Sequence, residues 1–202
     1  MLIPTVIEKS SNRECAYDLY SRLLKDRIIF ISGEINDSMS NIIISELLYL
    51  DSINHDDISV YINSPGGSVT AGFGIYDTFN IVRSRIKTIC VGQACSMGAF
   101  LLSSGTKGLR YCLENSEVMI HQPLGGAKGQ ATEIKIACDH ILKTKEKLNK
   151  ILSKNTGKDL SIIEVDTDRD FYMDAKYAVE YGIVDNVLKK YWFDMNPKSW
   201  RV

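Results

Sequence analysis

A serine, a histidine and a group of aspartates in this chain are residue types that together can carry out acyl transfer. Ser96 follows the β-branched run 87–91 and precedes the apolar run 99–102, so we expect it at a turn between a strand and a helix. Such a turn exposes the serine hydroxyl and directs the N–H groups of the helix N-terminus at whatever binds there. A hydroxyl in that position could act as a nucleophile.

Only one of the three histidines has a setting that suits a general base. His55 lies in an acidic loop and His140 in a long predicted helix, and we interpret both as solvated surface residues. His121 comes at the end of a predicted strand, directly before Gln122-Pro123 and a glycine pair. We therefore take His121 as the candidate base for Ser96.

The remaining parts of an acyl-transfer site are also present. The base needs an orienting carboxylate, and the acidic run 166–170 offers three aspartates. Acyl transfer also places a negative charge on the substrate carbonyl oxygen, and this oxyanion needs N–H donors. The start of the helix at Met97 and either Gly66 or Gly67 can supply them. The residues alone leave open which aspartate and which glycine would serve.

Three other chemistries fit the same stretches less well. Gln93-Ala94-Cys95 resembles the start of the caspase signature, but that pattern needs a glycine where Met97 stands. Residues 66–68 could hold a phosphate, yet the chain has neither GxxxxGK[ST] nor GxGxxG there. No cluster of histidine, cysteine and carboxylates has metal-ligand spacing, so we expect no metal.

The elements that must position these residues alternate between strands and helices. Three successive units begin at predicted strands 27–32, 57–63 and 87–91, and each strand is followed by an apolar helix. This order indicates an α/β fold with a mostly parallel sheet. We interpret residues 1–12 as an arm or loop. Further elements are predicted as helices at 16–26, 161–168 and 175–181, and as strands at 109–113, 118–121, 171–173 and 183–188.

A long helix is predicted from Gln130 to Lys154. Apolar residues follow one stripe of this segment, and lysines dominate the opposite face. At 1.5 Å per residue the helix would be roughly 37 Å long, which exceeds what a small domain can cover. We expect it to project toward another subunit.

Length, charge and cysteine content limit the class of protein. A chain of 202 residues predicts one domain over 1–202, and 24 basic against 25 acidic residues give no electrostatic case for nucleic acid or an anionic membrane. No apolar run approaches about 18 residues, and the five cysteines form no CxxC pair. We expect a soluble cytoplasmic protein with reduced thiols and with neither nucleic acid nor membrane as a partner.

Several segments, in their order along the chain, resemble the proteolytic subunit of the ATP-dependent Clp protease, the ClpP family. They are Tyr61–Gly67, Gly92–Phe100, Met119–Pro123, Gly129–Thr132 and Asp166–Asp170. The resemblance implies a crotonase-like α/β fold with a protruding handle helix, and a serine endopeptidase that cuts unfolded polypeptide. It implies no cofactor for this chain, because ATP is used by a partner, an AAA+ unfoldase such as ClpX or ClpC.

The resemblance also implies roles for residues of the reaction site. Ser96 matches the family's nucleophile, His121 its base and Asp170 its orienting carboxylate. The oxyanion donors would be the N–H groups of Gly67 and Met97.

The resemblance also implies which residues bind substrate and which couple the rings to the reaction site. Peptide substrate would add as a strand between residues 67–69 and 124–126, so that Ser68, Val69, Leu124 and Gly125 would be the substrate-binding residues. Asp168 and Arg169 resemble the pair that couples contacts between rings to the alignment of the catalytic residues.

The implied assembly is two stacked heptameric rings. In it residues 1–15 would form an axial arm, 122–154 the handle and 189–202 a C-terminal tail. The unfoldase would dock on a surface that comprises Ser59, Tyr61, Ile81, Ile89 and Leu188. Many members carry aromatic residues where Ser59 and Ile81 stand, so this docking surface is less aromatic.

Two alternatives to an autonomous endopeptidase stay open. The chain could be a structural or regulatory subunit of a ring shared with a paralogue, a hypothesis that the docking-surface differences motivate. It could also be an acyl-CoA hydratase or isomerase of the wider crotonase fold, which uses oxyanion N–H groups without a serine nucleophile.

Overall fold

A computed structural model describes residues 3–10 and 13–189 of the chain. Its strands are β1 (Thr5–Ser10), β2 (Arg13–Asp18), β3 (Ile28–Ser32), β4 (Ile58–Ser64), β5 (Ile86–Cys95), β6 (Arg110–Leu113), β7 (Glu117–Ile120), β8 (Phe171–Asp174) and β9 (Asn186–Leu188). Its helices are α1 (Leu19–Lys25), α2 (Asp37–Ile53), α3 (Val69–Ile81), α4 (Met97–Ser103), α5 (Ala131–Thr156), α6 (Leu160–Asp166) and α7 (Ala175–Tyr181). The C-terminal tail predicted at 189–202 lies outside the described residues, apart from Lys189.

A mostly parallel sheet forms the centre of the fold. Strands β3, β4, β5, β6 and β9 follow one another in that order, and every pairing among them is parallel. Strand β5 is long enough to pair with β6 through residues 88–90 and with β7 through residues 93–95. The sheet therefore divides around Gly92, whose φ of 80° is readily available only to glycine. The predicted α/β fold with a mostly parallel sheet is confirmed.

The helices that follow β3, β4 and β5 bury apolar faces against this sheet. In α2 the buried residues Ser40, Ile43, Leu47 and Leu50 recur every three or four positions, which places them on one face. The Asn36 side chain caps the N-terminus of α2 by accepting a hydrogen bond from the N–H of Met39. Helix α4 is buried along its whole length. Ser96, which directly precedes this helix, is therefore followed by a segment that is packed on all sides.

The N-terminal region differs from the sequence prediction. Strands β1 and β2 pair antiparallel, with Thr5 opposite Asp18 and Ser10 opposite Arg13, where we expected an arm or loop and then a helix from residue 16. Among the residues of these two strands whose burial the structure describes, 5–8 and 14–18, none is buried, so no buried face gives the sequence a recognisable period. Helix α1 begins only at Leu19, because the Asp18 side chain caps it by accepting from the N–H of Ser21.

The other predicted boundaries agree with the structure to within two residues, with two exceptions. The strand predicted at 87–91 continues to Cys95, because its second half pairs with β7. The last strand is only Asn186–Leu188, since Ile183 and Val184 precede it in a buried turn after Gly182.

Helix α5 is the long helix that the sequence predicts. It has 26 residues, and its buried residues, Leu148, Asn149 and Leu152, all lie in the C-terminal half. The N-terminal half leaves Ile134, Ile136 and other apolar side chains exposed. The helix therefore projects from the domain. Of the helices in the described part of the chain, none is long and apolar enough to cross a membrane.

The hydrogen bonds of Asp51 predict that the stability of the fold decreases in acid. Burial raises the pKa of this α2 carboxylate, but the Ser84 hydroxyl and the N–H groups of Ser84 and Arg83 lower the pKa more, to about 2. Because the folded-state pKa lies below the unfolded value of about 3.9, this stabilisation is present above pH 4 and is lost as the pH falls toward 2.

We expect Asp51→Asn to lower the urea midpoint at pH 7, and the difference from the wild type to shrink between about pH 4 and pH 2. Denaturation at a series of pH values would measure it. Asp77→Asn, which changes an exposed carboxylate of α3, is the control. An Asp51→Asn difference that stays constant down to about pH 2 would contradict the assignment.

Candidate active site

Ser96 lies in the turn that joins β5 to α4. Its backbone has φ 54° and ψ −119°, a combination that is rare for a residue with a side chain. The turn is held because the N–H of Ser96 donates to the carbonyl of Met119 at 2.7 Å, next to the end of β7. The carbonyl of Ser96 accepts from Phe100 in the first turn of α4. The serine thus lies between two well-ordered elements, as in strand-to-helix nucleophile turns.

Ser96, His121 and Asp170 form one series of hydrogen bonds. The Oγ of Ser96 lies 2.8 Å from Nε2 of His121, and Nδ1 of His121 lies 2.9 Å from Oδ1 of Asp170. Because the carboxylate can only accept, Nδ1–H donates to it and Nε2 accepts from the serine hydroxyl. This is the geometry that general-base activation of a serine requires.

Strand register explains why these three residues meet. In β5 and β7, Cys95 pairs with Met119, which brings the residue after β5 beside the end of β7. In β7 and β8, Ile120 pairs with Phe171, so the next residues outward along the two antiparallel strands are His121 and Asp170. The three side chains therefore come from the ends of neighbouring strands at one edge of the sheet.

Cys95, the other candidate nucleophile in the sequence, has no such partners. Its side chain is almost fully buried, and its Sγ lies 3.6 Å from Oε1 of Gln93 rather than beside the imidazole. Burial raises the pKa of this thiol, and nearby carboxylates raise it further. A neutral, buried thiol is a poor nucleophile, so the structure favours Ser96 over Cys95.

The glycine loop after β4 lies directly against the serine. A Cβ added to Gly66 would lie 2.7 Å from Cβ of Ser96 and 3.1 Å from the N of Met97. At Gly67, where φ is 149°, an added Cβ would lie 2.2 Å from the carbonyl oxygen of Ile35. Both positions therefore require glycine for close approach of the backbone.

Two N–H groups in the glycine loop and at the start of α4 lack an acceptor within the described ranges. The N–H of Gly66 already donates to Oγ of Ser64 at 3.0 Å, whereas the N–H of Gly67 has no hydrogen-bond partner within the described ranges. Met97 is the first residue of α4, a position whose N–H has no acceptor within the helix. Of the two glycines that the residues left open, Gly67 is thus the one with a free donor.

The segments predicted to bind substrate border an open cavity of about 520 Å³, which shares Val69 and Pro123 with the smaller cavity that Ser96 lines. Val69, the first residue of α3, and Leu124, which is 86% exposed, both line it. Ser68 caps α3 by accepting from the N–H of Ala71. Gly125 lies close to α5, since a Cβ there would approach Ile141 to 2.7 Å.

Asp168 belongs to a polar network that joins α5 to the segments that carry His121 and Asp170. The carbonyl of Asp168 accepts from Nε2 of Gln122 at 2.7 Å, and Nζ of Lys145 contacts both Oε1 of Gln122 at 3.0 Å and Oδ1 of Asp168 at 3.4 Å. Gln122 follows His121, and Asp168 lies two residues before Asp170. Lys145 thus links the segments that carry His121 and Asp170.

Sequence reasoning missed Lys145 as a site residue, because it is one of many lysines on the polar face of α5. Arg169, which it included, is 83% exposed. The only contacts of its side chain that the structure describes are with Asp168.

Three of the five residues predicted for unfoldase docking lie together. Tyr61, Ile89 and Leu188 belong to a small apolar cluster separate from the main core, and burial raises the pKa of Tyr61 to about 12. Ser59 is half-buried two residues before Tyr61 on β4, whereas Ile81 is 71% exposed at the end of α3 and lies outside the cluster.

An α/β fold that presents a serine, a histidine and an aspartate in one hydrogen-bonded series is typical of serine hydrolases. No group of residues that could hold a metal ion occurs in the described part of the chain. The family model described as Clp protease matches residues 11–191. The chain therefore belongs to the Clp protease family, whose members are serine peptidases that assemble into rings.

Proposed function

We propose that this protein is a serine endopeptidase subunit of a barrel-shaped protease and that it hydrolyses unfolded polypeptide. The observation that carries the proposal is the Ser96–His121–Asp170 series, with separations of 2.8 Å and 2.9 Å. Family membership supports a peptidase of this type.

In the proposed reaction His121 removes the proton from the Ser96 hydroxyl as the oxygen attacks the substrate carbonyl. The oxyanion receives hydrogen bonds from the N–H groups of Gly67 and Met97. His121, now protonated and stabilised by Asp170, donates its proton to the leaving amine. Water then hydrolyses the acyl-enzyme by the same steps in reverse, which regenerates the serine.

Substrate would bind in an extended conformation between residues 67–69 and 124–126. Backbone hydrogen bonds of this kind provide affinity with little dependence on side chains, which suits an enzyme that degrades many proteins. Such a site accepts only an extended chain, so folded proteins need prior unfolding.

The proposed assembly is two stacked heptameric rings that join through α5 as the handle. Asp168 and Arg169 would couple ring contacts to the triad, and the Lys145 network supplies a physical connection for Asp168. Unfolded chains would come from an AAA+ unfoldase such as ClpX or ClpC, docked around Tyr61, Ile89 and Leu188. That partner would use ATP, and we propose no cofactor for this chain. We propose a cytoplasmic setting with neither nucleic acid nor membrane as a partner.

A second candidate is a subunit that needs a paralogue's ring for docking or activation. The polar Ser59 and the outlying, exposed Ile81 favour this candidate, because they weaken the apolar docking surface.

A fluorophosphonate probe tests the proposal directly, since it reacts with an activated serine. We expect the isolated wild-type oligomer to be labelled at Ser96, Ser96→Ala to remain unlabelled, and Cys95→Ala to be labelled as the wild type is. Mass spectrometry of the tryptic peptides locates the adduct. Labelling that appears only after co-expression with a paralogue would favour the second candidate, and labelling that persists in Ser96→Ala would contradict the proposed nucleophile.

A further inference from the structure

The cavity that Val69 and Leu124 line is larger than the space that a peptide backbone alone would fill. Its volume is about 520 Å³, and it shares Val69 and Pro123 with a much smaller cavity that Ser96 and His121 line. The two cavities therefore share part of their walls. A substrate side chain next to the scissile bond can enter the larger one.

The charged groups around this cavity are all basic. Lys143 and Lys147 line it from successive turns of α5, and no carboxylate is among its lining residues. Neither lysine forms an ion pair within the residues that the structure describes. Like charges four residues apart on a helix repel each other. An anionic side chain placed between them would therefore be attracted by both ammonium groups.

Part of the cavity lining is apolar. Phe73, Ile141 and Leu124 contribute to it, and the Lys147 ammonium lies 4.1 Å from the centre of the Phe73 ring. A side chain that fits both parts has an aliphatic stem to cover the apolar wall and a carboxylate at its end to meet the lysines.

We propose that Lys143 and Lys147 determine substrate specificity by favouring glutamate in this cavity. This inference rests on the proposed function, because it concerns the same active serine. In an extended peptide, alternate side chains share a face. The first and third residues on the acyl side of the scissile bond can thus face the cavity, while the second points away.

Matched fluorogenic peptides test the proposal. Each pair differs only in glutamate against glutamine at one position, so that shape is constant and charge changes. For the wild-type oligomer we expect kcat/KM to favour glutamate about tenfold at the first or third position and to show no preference at the second. A wild-type ratio below about two at both the first and third positions, or an equal preference at the second, would overturn the proposal.

The double variant Lys143→Met/Lys147→Met should bring the ratio to about one and leave the glutamine peptides cleaved at nearly the wild-type rate. Lys150→Met/Lys154→Met is the control, because it removes two lysines with the same spacing on α5 that do not line the cavity. An unchanged ratio in the cavity variant, or an equal loss in the control, would contradict the assignment.

Salt gives a second measurement that needs no variant. Because the attraction is electrostatic, raising NaCl from about 50 mM to about 500 mM should bring the wild-type ratio toward one. A ratio that does not change with salt would count against the proposal even if the double variant failed to assemble. Ser96-dependent cleavage of the glutamine peptides in the same assay would show that the proposed function stands whether or not glutamate is preferred.

Discussion

Replacement of Asp170 by asparagine is expected to lower kcat for peptide hydrolysis by roughly 10³- to 10⁴-fold. The carboxylate accepts the Nδ1–H of His121 at 2.9 Å, which leaves Nε2 free to accept the serine proton. An asparagine amide of the same shape can donate to Nδ1 and so favour the wrong tautomer, and it carries no charge to stabilise the imidazolium. Steady-state hydrolysis of a fluorogenic peptide measures the effect.

Asp166→Asn is the matched control for this variant. Asp166 lies on the same segment but accepts the hydroxyl of Tyr181 at 2.7 Å, an interaction that an asparagine oxygen can retain. We expect its kcat to stay within a few fold of the wild type. Sedimentation velocity on both variants separates a chemical effect from a loss of assembly. A fall of less than about tenfold in an assembled Asp170→Asn oligomer would contradict the proposed role.

Arg110→Met is expected to destabilise the fold by about 3 to 5 kcal/mol. The Arg110 side chain is almost fully buried and binds Asp185 through Nε at 3.0 Å and Nη2 at 2.7 Å. It also donates to the carbonyls of Ser103, at the end of α4, and Asn155, in the last turn of α5. Methionine fills much of the same volume but leaves the Asp185 carboxylate and two carbonyls without this donor.

The acid dependence of that loss gives an independent check. Burial raises the pKa of Asp185, but its hydrogen bonds with Arg110 outweigh burial and hold the pKa below its usual range. The stabilisation is therefore present above about pH 4 and is lost as the pH falls below it. We expect the urea midpoints of Arg110→Met and the wild type to differ most near neutral pH and to approach each other in acid.

Arg85→Met provides the control for Arg110→Met. Arg85 forms an ion pair with Asp57 at 2.7 Å, but its side chain is 65% exposed. Such a surface pair contributes at most about 1 kcal/mol, so we expect a small change. All midpoints are compared at one protein concentration, because assembly adds to apparent stability. Equal destabilisation by the two substitutions would show that burial of the Arg110–Asp185 pair is not what matters.

The residues alone do not determine which of the three aspartates of 166–170 contacts His121. The residues alone show an acidic run, and only the family resemblance singled out Asp170. The antiparallel register of β8 with β7 brings Asp170 to His121, while Asp166 accepts from Tyr181 and Asp168 contacts Lys145. The contact of Asp170 with His121 joins positions 49 residues apart, and no local pattern encodes it.

The errors in the N-terminal region and in β5 have different physical causes. A strand is recognised from its sequence when one of its faces is buried, and no residue of β1 or β2 whose burial the structure describes is buried. The second half of β5 contains Gly92 and Ala94, residue types that are depleted in strands, and it is extended because β7 pairs with it. Tertiary pairing overrides local preference in this strand.

The sequence by itself determined the alternation of strands and helices, the turn that presents Ser96, the glycine loop and the long projecting helix. Each of these depends on the period of apolar residues or on backbone angles that glycine permits, and both are local properties. Only the tertiary structure showed that Ser96 contacts His121 and that His121 contacts Asp170, that Gly67 rather than Gly66 keeps a free N–H, and that Lys145 joins α5 to the segments that carry His121 and Asp170. These relations depend on strand register and on packing between elements that are distant in the chain, which local patterns do not contain.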